Sequence, residues 1–278
     1  MTARWAWSFL LTAWATGAAA LPSAGIATPG PEPAPIRVMT WNIHFGNEGL
    51  QRVASTVCAA DADIVGLQEV DVHWSERSAF VDQATQIGEA CGLEVRFGPI
   101  YSLPPLEQGA PPRQFGVAVL TRLPILSSRN HLLTRLSTQE EDTPPAPSPG
   151  FLQVTVDVGG TAVDVFVTHL DYRPDPSVRK TQVAEMLAVI GQEERPAILM
   201  GDMNAPPDRA ELAPLFARLH DAWSASRDPG FTYPAGEPVR RIDYIFTRGS
   251  LGTVTARVLG TDASDHRPVI AELSTAPR

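Results

Sequence analysis

The sequence predicts an α/β fold built on mixed sheets, and two kinds of segment carry that prediction. Residues 152–158 alternate Leu152, Val154, Val156 and Val158 with polar neighbours, turn at Gly159-Gly160 and return over 162–168, which is the pattern of a β-hairpin. Residues 36–41, 50–60 and 63–68 read instead as strand, helix and strand. A chain that mixes hairpins with strand–helix–strand units favours mixed sheets over an all-parallel, doubly wound one. The stretch 36–274 has a length that suits one large α/β domain.

In order along the chain, residues 36–41 alternate as a strand ending at Asn42. Leu50, Val53, Val57 and Ala60 fall at helical spacing. Residues 63–68 are a short apolar strand that delivers Glu69 at its end. A second helix is expected over 80–90, and strands over 115–121 and 124–134. Residues 102–114 and 138–150 are rich in proline and are expected as loops, the second of them exposed. After the hairpin comes a helix over 178–190 with Val183, Leu187 and Ile190 on one side. Arg179 and Gln182 on that helix are read as part of an exposed face. A buried strand over 197–200 leads into Asp202, and strands over 241–247, 253–259 and 268–273 close the chain. Simple matching finds no internal repeat.

The first residues read as a targeting segment. Arg4 supplies a positive start, residues 5–16 are an apolar run, and Ala18-Ala19-Ala20 supplies small residues with a cleavage pattern. The run is short for a bilayer span. Residues 1–20 are therefore expected to be a cleaved signal peptide, 21–35 a flexible leader rich in Pro, Gly and Ala, and 275–278 a tail. The expected location is secreted or periplasmic, with no transmembrane segment. Two cysteines, Cys58 and Cys91, each near the end of an expected helix, either bridge or stay apart.

The formal net charge is −9, and Arg179-Lys180 and Arg240-Arg241 are the only basic doublets. A protein that grips long nucleic acid gains affinity from a basic stripe that neutralises phosphates. None is visible, which weighs against a nuclease.

The chemistry lies in six short groups that close or follow the apolar runs: Trp41-Asn42, Gln68-Glu69, Thr168-His169, Gly201-Asp202-Met203-Asn204, Ile242-Asp243-Tyr244 and Ser264-Asp265-His266. Each alone is weak, since an Asp ending a strand is commonly a turn or cap residue. The ordered set points to a hard divalent cation and phosphoester hydrolysis. Asn42, Glu69 and Asp265 offer oxygen ligands of the kind Mg²⁺ or Mn²⁺ takes, and no cysteine–histidine cluster suits structural zinc. Asp202 is placed to orient or deprotonate a water, while Asn204, His169 and His266 are placed to donate to phosphoryl oxygens. Asp243 is the candidate to hold His266 in one tautomer. Trp41 and Tyr244 are read as packing residues beside the site. His44, His73, His131 and His220 have no motif support and are read as surface or loop residues.

These groups resemble the motifs of the endonuclease/exonuclease/phosphatase superfamily of DNase I-like metal-dependent phosphoesterases, from about residue 36 to 273. The resemblance implies a four-layer α/β/β/α sandwich, with two mixed, largely antiparallel central sheets flanked by helices. It implies Mg²⁺ or Mn²⁺ held chiefly by Glu69 with Asn42 and Asp265 close by, Asp202 and Asn204 at the attacking water and phosphate, and an Asp243–His266 pair. The histidine at position 169 is similar to one group of members; the repair-type enzymes use tyrosine there.

The expected function is an exported phosphoesterase that hydrolyses a phosphodiester, with a small or lipid substrate favoured, acting as a monomer. The first alternative is a secreted DNase I-like nuclease. The more distant one is a non-catalytic binding module on the same fold. No aromatic-rich loop of the kind that inserts into a membrane is visible, so no lipid is singled out.

Overall fold

A computed structural model describes residues 1–3, 5, 8, 34–224 and 226–275. The chain divides into two units, Met1–Glu32 and Pro33–Arg278, and every element below belongs to the second. The signal peptide expected over 1–20 and the leader over 21–35 fall almost wholly outside the described residues, as does the tail beyond Thr275.

Twelve strands form two six-stranded sheets. The first contains β1 (Ile36–Asn42), β2 (Ile64–Val72), β3 (Glu94–Leu103), β4 (Arg113–Thr121), β11 (Gly252–Val258) and β12 (Val269–Ser274), in the order β11-β12-β1-β2-β4-β3. The second contains β5 (Ile125–Arg135), β6 (Ala146–Val158), β7 (Thr161–His169), β8 (Ala197–Asp202), β9 (His220–Asp221) and β10 (Asp243–Arg248), in the order β5-β6-β7-β8-β10-β9. One pair in each sheet is parallel, β1 with β2 and β7 with β8, and the other pairings are antiparallel. Each parallel pair is joined through a helix, α1 (Leu50–Ala60) in the first and α3 (Ser177–Ile190) in the second.

Side-chain alternation along the strands separates three cores. Val38, Ile64, Val165, Val167, Ile198 and Met200 point between the sheets. Their chain neighbours Met39 and Val65 point outward, under α1 and α2 (Gln83–Cys91). Phe166 and Leu199 likewise point outward, under α3 and the short α4 (Ala213–Arg218). Strands buried on both faces read as continuous apolar runs, which is why 64–67 and 197–200 show no alternation. The result is the four-layer sandwich, with helices outside and mixed sheets within. Gly66 lets the sheets approach: a Cβ there would lie 2.8 Å from Val167 Cγ2.

Three expectations need correction. The loop expected over 138–150 becomes strand from Ala146, because β6 at Pro147 pairs only with β5, Pro149 falls in an irregularity of that pairing, and β7 is not met until Phe151. A proline without an N–H fits a strand that has one open side. The unread strand β3 completes the edge of the first sheet; its pattern, with Gly98 and Pro99 inside it, hid it. Arg179 and Gln182 are buried instead of exposed, because that face of α3 covers the segment after His169.

Cys58 and Cys91 form a disulfide that ties α1 to α2. Among the described residues no helix is long and apolar enough to cross a membrane.

Candidate active site

The two parallel pairs bring their C-terminal ends together, and the candidate residues ride on those ends. In the first sheet Asn42 is the last residue of β1, with Glu69 beyond its partner position Gln68. In the second, His169 ends β7 directly beside Asp202, the end of β8, and Asp243 opens β10 opposite Asp202. Asp265 and His266 arrive on the segment before β12.

Two local distortions aim the carboxylates. Leu67 pairs with Ala118 but Val70 pairs with Gly116, so Gln68 and Glu69 together face one residue of β4 in a β-bulge. Glu69 takes φ 57°, a left-handed conformation rare for a residue with a side chain. Such strain costs about 1–3 kcal/mol and persists where the surroundings hold it. At Gly201, φ is 153° and a Cβ would lie 2.1 Å from Thr168 O, so only glycine lets β8 lie this close to β7. Asn204, at φ 50°, is in the left-handed region that asparagine tolerates best.

The side chains form one connected network. Asn42 Nδ2 donates to Glu69 Oε1 at 2.9 Å and to Asp202 Oδ2 at 3.1 Å. Asn42 Oδ1 accepts from the His44 amide at 3.0 Å, which fixes the carboxamide with its nitrogen toward both carboxylates. His266 Nδ1 lies 2.9 Å from Asp243 Oδ2, and its Nε2 lies 3.7 Å from Asp202 Oδ2. His169 Nε2 is 3.5 Å from the same Asp202 oxygen and 4.0 Å from Glu69 Oε1. The Asn204 amide donates to Asp202 Oδ1 at 2.8 Å, and its carboxamide spends one hydrogen on Leu170 O, leaving the other. Trp41 Nε1 donates to His266 O, and the Tyr233 ring lies 4.7 Å from the His266 ring. Seven of the eight residues singled out in the sequence therefore meet in one network, and the eighth, Asp265, is the chain neighbour of His266, with its carboxylate toward Ser264 and His44. Trp41 and Tyr244 are buried beside the network, and the Tyr244 hydroxyl is held by Ala205 O and Arg241 O.

Burial and charge set the protonation states. Burial raises the Asp202 carboxyl and the Asp243 charge raises it further; His266 and His169 oppose, and the net shift is upward. Burial alone would lower His266, but the charges of Asp243 and then Asp202 outweigh it and push its pKa up to about 10. Burial also raises Asp265, against the opposing charges of His266 and His44.

The sequence reading missed His44 and Glu48. His44 Nδ1 sits 2.9 Å from Glu48 Oε1 and 3.8 Å from Asp265 Oδ1, so His44 belongs to the rim of the site and is not a bystander. Its place two residues after Asn42 was the available signal. His73, His131 and His220 bond Phe80 O, Gln153 and Ser224 instead.

Two sets of groups are candidates to hold a cation. Asp202, Asp243 and His266 each present an atom within 4.8 Å of the others. An imidazole kept protonated by two carboxylates has no lone pair to give, so this trio reads better as a proton-holding network. Glu69 and Asp265 have partly exposed carboxylates, and among the described residues neither is paired with Arg or Lys. Two such carboxylates beside a carboxamide fit a hard divalent cation that keeps part of its water.

Residues 39–266 match the model of the Endonuclease/Exonuclease/phosphatase family. The chain belongs to that family. Members hydrolyse phosphoester bonds and typically depend on a divalent metal. A curated relative, Protein cwh43 of Schizosaccharomyces pombe (strain 972 / ATCC 24843), is 27% identical over 166 residues, which is 58% of this chain and 15% of the relative's length. The endonuclease/exonuclease/phosphatase from Beutenbergia cavernae DSM 12333 superposes with a TM-score of 0.66 at 24% identity, covering 87% of this chain and 72% of that one. The mannosyl-6-phosphatase Bt3783 of Bacteroides thetaiotaomicron VPI-5482 gives a TM-score of 0.66 at 20% identity over 86% of this chain and 99% of that one. At these identities the structural likenesses speak for the fold alone.

Proposed function

We propose that this family member is an exported phosphoesterase dependent on Mg²⁺ or Mn²⁺, which hydrolyses a phosphodiester of a small or lipid substrate by in-line attack of an activated water. The observation that carries the reading is the single hydrogen-bonded path from Glu69 through Asn42 to Asp202, with His266, backed by Asp243, against the same Asp202 oxygen. Glu69 and Asp265 would hold the metal, with the Asn42 carboxamide orienting Glu69. Bound there, the ion supplies positive charge to the phosphoryl and leaving oxygens.

The remaining work belongs to the chain's own groups. Asp202, with its raised pKa, accepts the proton of the attacking water. His266, held protonated by Asp243, donates to a phosphoryl oxygen as charge builds there. His169 and the free hydrogen of the Asn204 carboxamide donate from the neighbouring strand ends. Export is supported by the N-terminal apolar run ending in Ala18-Ala19-Ala20 and by the Cys58–Cys91 bridge, since disulfides persist in oxidising compartments.

A panel assay of the mature protein tests the reading, using sphingomyelin, phosphatidylinositol, inositol phosphates, RNA and plasmid DNA with Mg²⁺, Mn²⁺ or EDTA. Turnover of a non-nucleic phosphodiester that EDTA abolishes is the expected result. Glu69→Gln keeps size and removes the anion, so calorimetry should show metal affinity lost while the fold survives. Unchanged affinity in that variant would move the metal elsewhere, and turnover of plasmid DNA alone would favour the nuclease.

A further inference from the structure

A cavity of ≈ 190 Å³ adjoins the site, with Glu69 and His169 in its lining. Its walls are largely apolar and aromatic, with Tyr101, Phe115, Leu136 and Tyr172 among them. Tyr101 and Phe115 stack with centroids 6.3 Å apart, and Trp74 braces both rings. The Tyr101 hydroxyl bonds both the Thr138 amide at 3.0 Å and the Thr138 hydroxyl at 3.2 Å, which fixes the ring. Tyr172 stands at the rim with 63% of its surface exposed.

Two arginines line the same cavity and on a charge count would suggest a second anion. Both are already committed. Arg135 is buried, and its Nε, Nη1 and Nη2 donate to Pro149 O, His169 O and Gly150 O at 2.9–3.0 Å. Arg173 donates to Leu136 O and Ser137 O and pairs with the Asp171 carboxylate. A second phosphate here would find only the N–H groups these bonds leave over and would lie against the Asp171 and Glu69 carboxylates, which also line the space.

From this we infer the substrate class: a phosphoester whose substituent facing Glu69 and His169 is a single neutral ring, carrying no second phosphate, stacked on the Tyr101–Phe115 wall under the rim tyrosine Tyr172. The inference rests on the phosphoesterase reading and narrows it. The cavity is smaller than the roughly 300–1,000 Å³ of sites that enclose drug-sized ligands, so it suits one ring. Aromatic walls favour the face of a ring over a flexible chain.

The test is steady-state kinetics with Mg²⁺ on glucose 1-phosphate, glycerol 1-phosphate and glucose 1,6-bisphosphate, each as the free monoester and as its methyl diester. The ring ester should exceed the glycerol ester by about tenfold in kcat/KM, the effect of a stacking contact. The bisphosphate should fall below the monophosphate. Tyr172→Ala, at an exposed position, should shrink the ring-to-glycerol ratio through KM while thermal unfolding stays unchanged, and Tyr172→Phe should restore it. Equal turnover of ring and glycerol esters, preference for the bisphosphate, or an unmoved ratio in Tyr172→Ala would overturn the cavity assignment alone. So would inactivity on all of these esters by an enzyme active elsewhere in the panel above. Inactivity on every phosphoester would overturn the phosphoesterase reading and this assignment with it.

Discussion

At Asp202 three charges compete, and the outcome sets the proton inventory of the site. The Asp243 charge disfavours ionisation of the buried Asp202 carboxyl, and His266 between them is the compensating cation. The folded-state pKa of His266, about 10, stands above its unfolded value of about 6.5. The stability this contributes is fully present below about pH 6.5 and is lost as pH rises through about 10. Asp243→Asn removes the largest charge that raises the pKa and keeps the ring in place. Denaturant midpoints measured from pH 6 to 10 should therefore fall with pH in the wild type and fall earlier in Asp243→Asn, and the alkaline limb of the rate profile should move to lower pH. His266→Ala should cost about 3 kcal/mol of transition-state stabilisation, roughly a hundredfold in kcat, as for loss of a preorganised donor. Because the two act as a unit, the double variant should be much less impaired than the product of the single losses. Multiplicative losses, or an unmoved alkaline limb, would show that the pair is not coupled. This pair was legible in the sequence because both members sit in recognisable groups at strand ends. The role of Asn42 was only partly legible: the sequence offers an oxygen ligand, whereas the His44 amide turns its nitrogen toward Glu69 and Asp202.

The elements that carry these residues depend on backbone positions that a hydrophobic pattern does not encode. The bulge at Gln68-Glu69 depends on pairing with β4, some fifty positions on, so the period along β2 gives no sign of it. Gly201 looks like an ordinary glycine until β7 is laid beside β8. Gly201→Ala should then destabilise by at least ~2 kcal/mol, from φ strain and the clash with Thr168 O, and should cut turnover more than stability alone explains because Asp202 moves. Denaturant unfolding alongside kcat at a temperature where the variant is folded checks both; an unchanged kcat would mean that β8 can shift without moving the carboxylate. The strand β6 shows the opposite case: its prolines spelled loop, and one-sided pairing made them strand. The disulfide was undetermined from spacing because nothing in the chain says that α1 and α2 lie side by side. Closing a loop of 33 residues' separation should stabilise by about 4 kcal/mol on the chain-entropy model. Reduction should lower the unfolding midpoint accordingly and leave metal dependence intact, since among the described residues no hydrogen bond links either cysteine to a site residue; loss of metal binding on reduction would contradict that separation.

Across the whole molecule, the strand order of the second sheet is that of the first with each strand six places later or earlier in the chain. Each half supplies one parallel pair, and the site forms where the two ends face each other. That repeat exists in topology, and residue matching does not reveal it because the two halves carry different chemistry, Asn42 and Glu69 on one and His169 and Asp202 on the other. Strand identities were largely readable, but stacking into four layers came from the family resemblance, since alternation says which side chains share a face and not what lies opposite. The same scale bears on the nucleic-acid question. Asp and Glu outnumber Arg and Lys by 31 to 22. Several arginines are also consumed in pairs, Arg77 with Asp71, Arg179 with Glu211, Arg195 with Asp164 and Arg241 with Asp221. Fewer remain to neutralise phosphates along a duplex, and each such contact adds roughly 0.9 to the slope of log affinity against log salt. At about 0.15 M salt, where screening acts beyond roughly 8 Å, DNA binding should therefore be weak and its salt slope shallow. Fluorescence anisotropy with a labelled duplex across a salt series, run beside a plasmid-nicking assay with Mg²⁺, measures both. Rapid nicking at nanomolar enzyme in about 0.15 M salt, with a steep slope, would mean that the free arginines form a local basic track and would replace the small or lipid phosphoester with nucleic acid as the substrate.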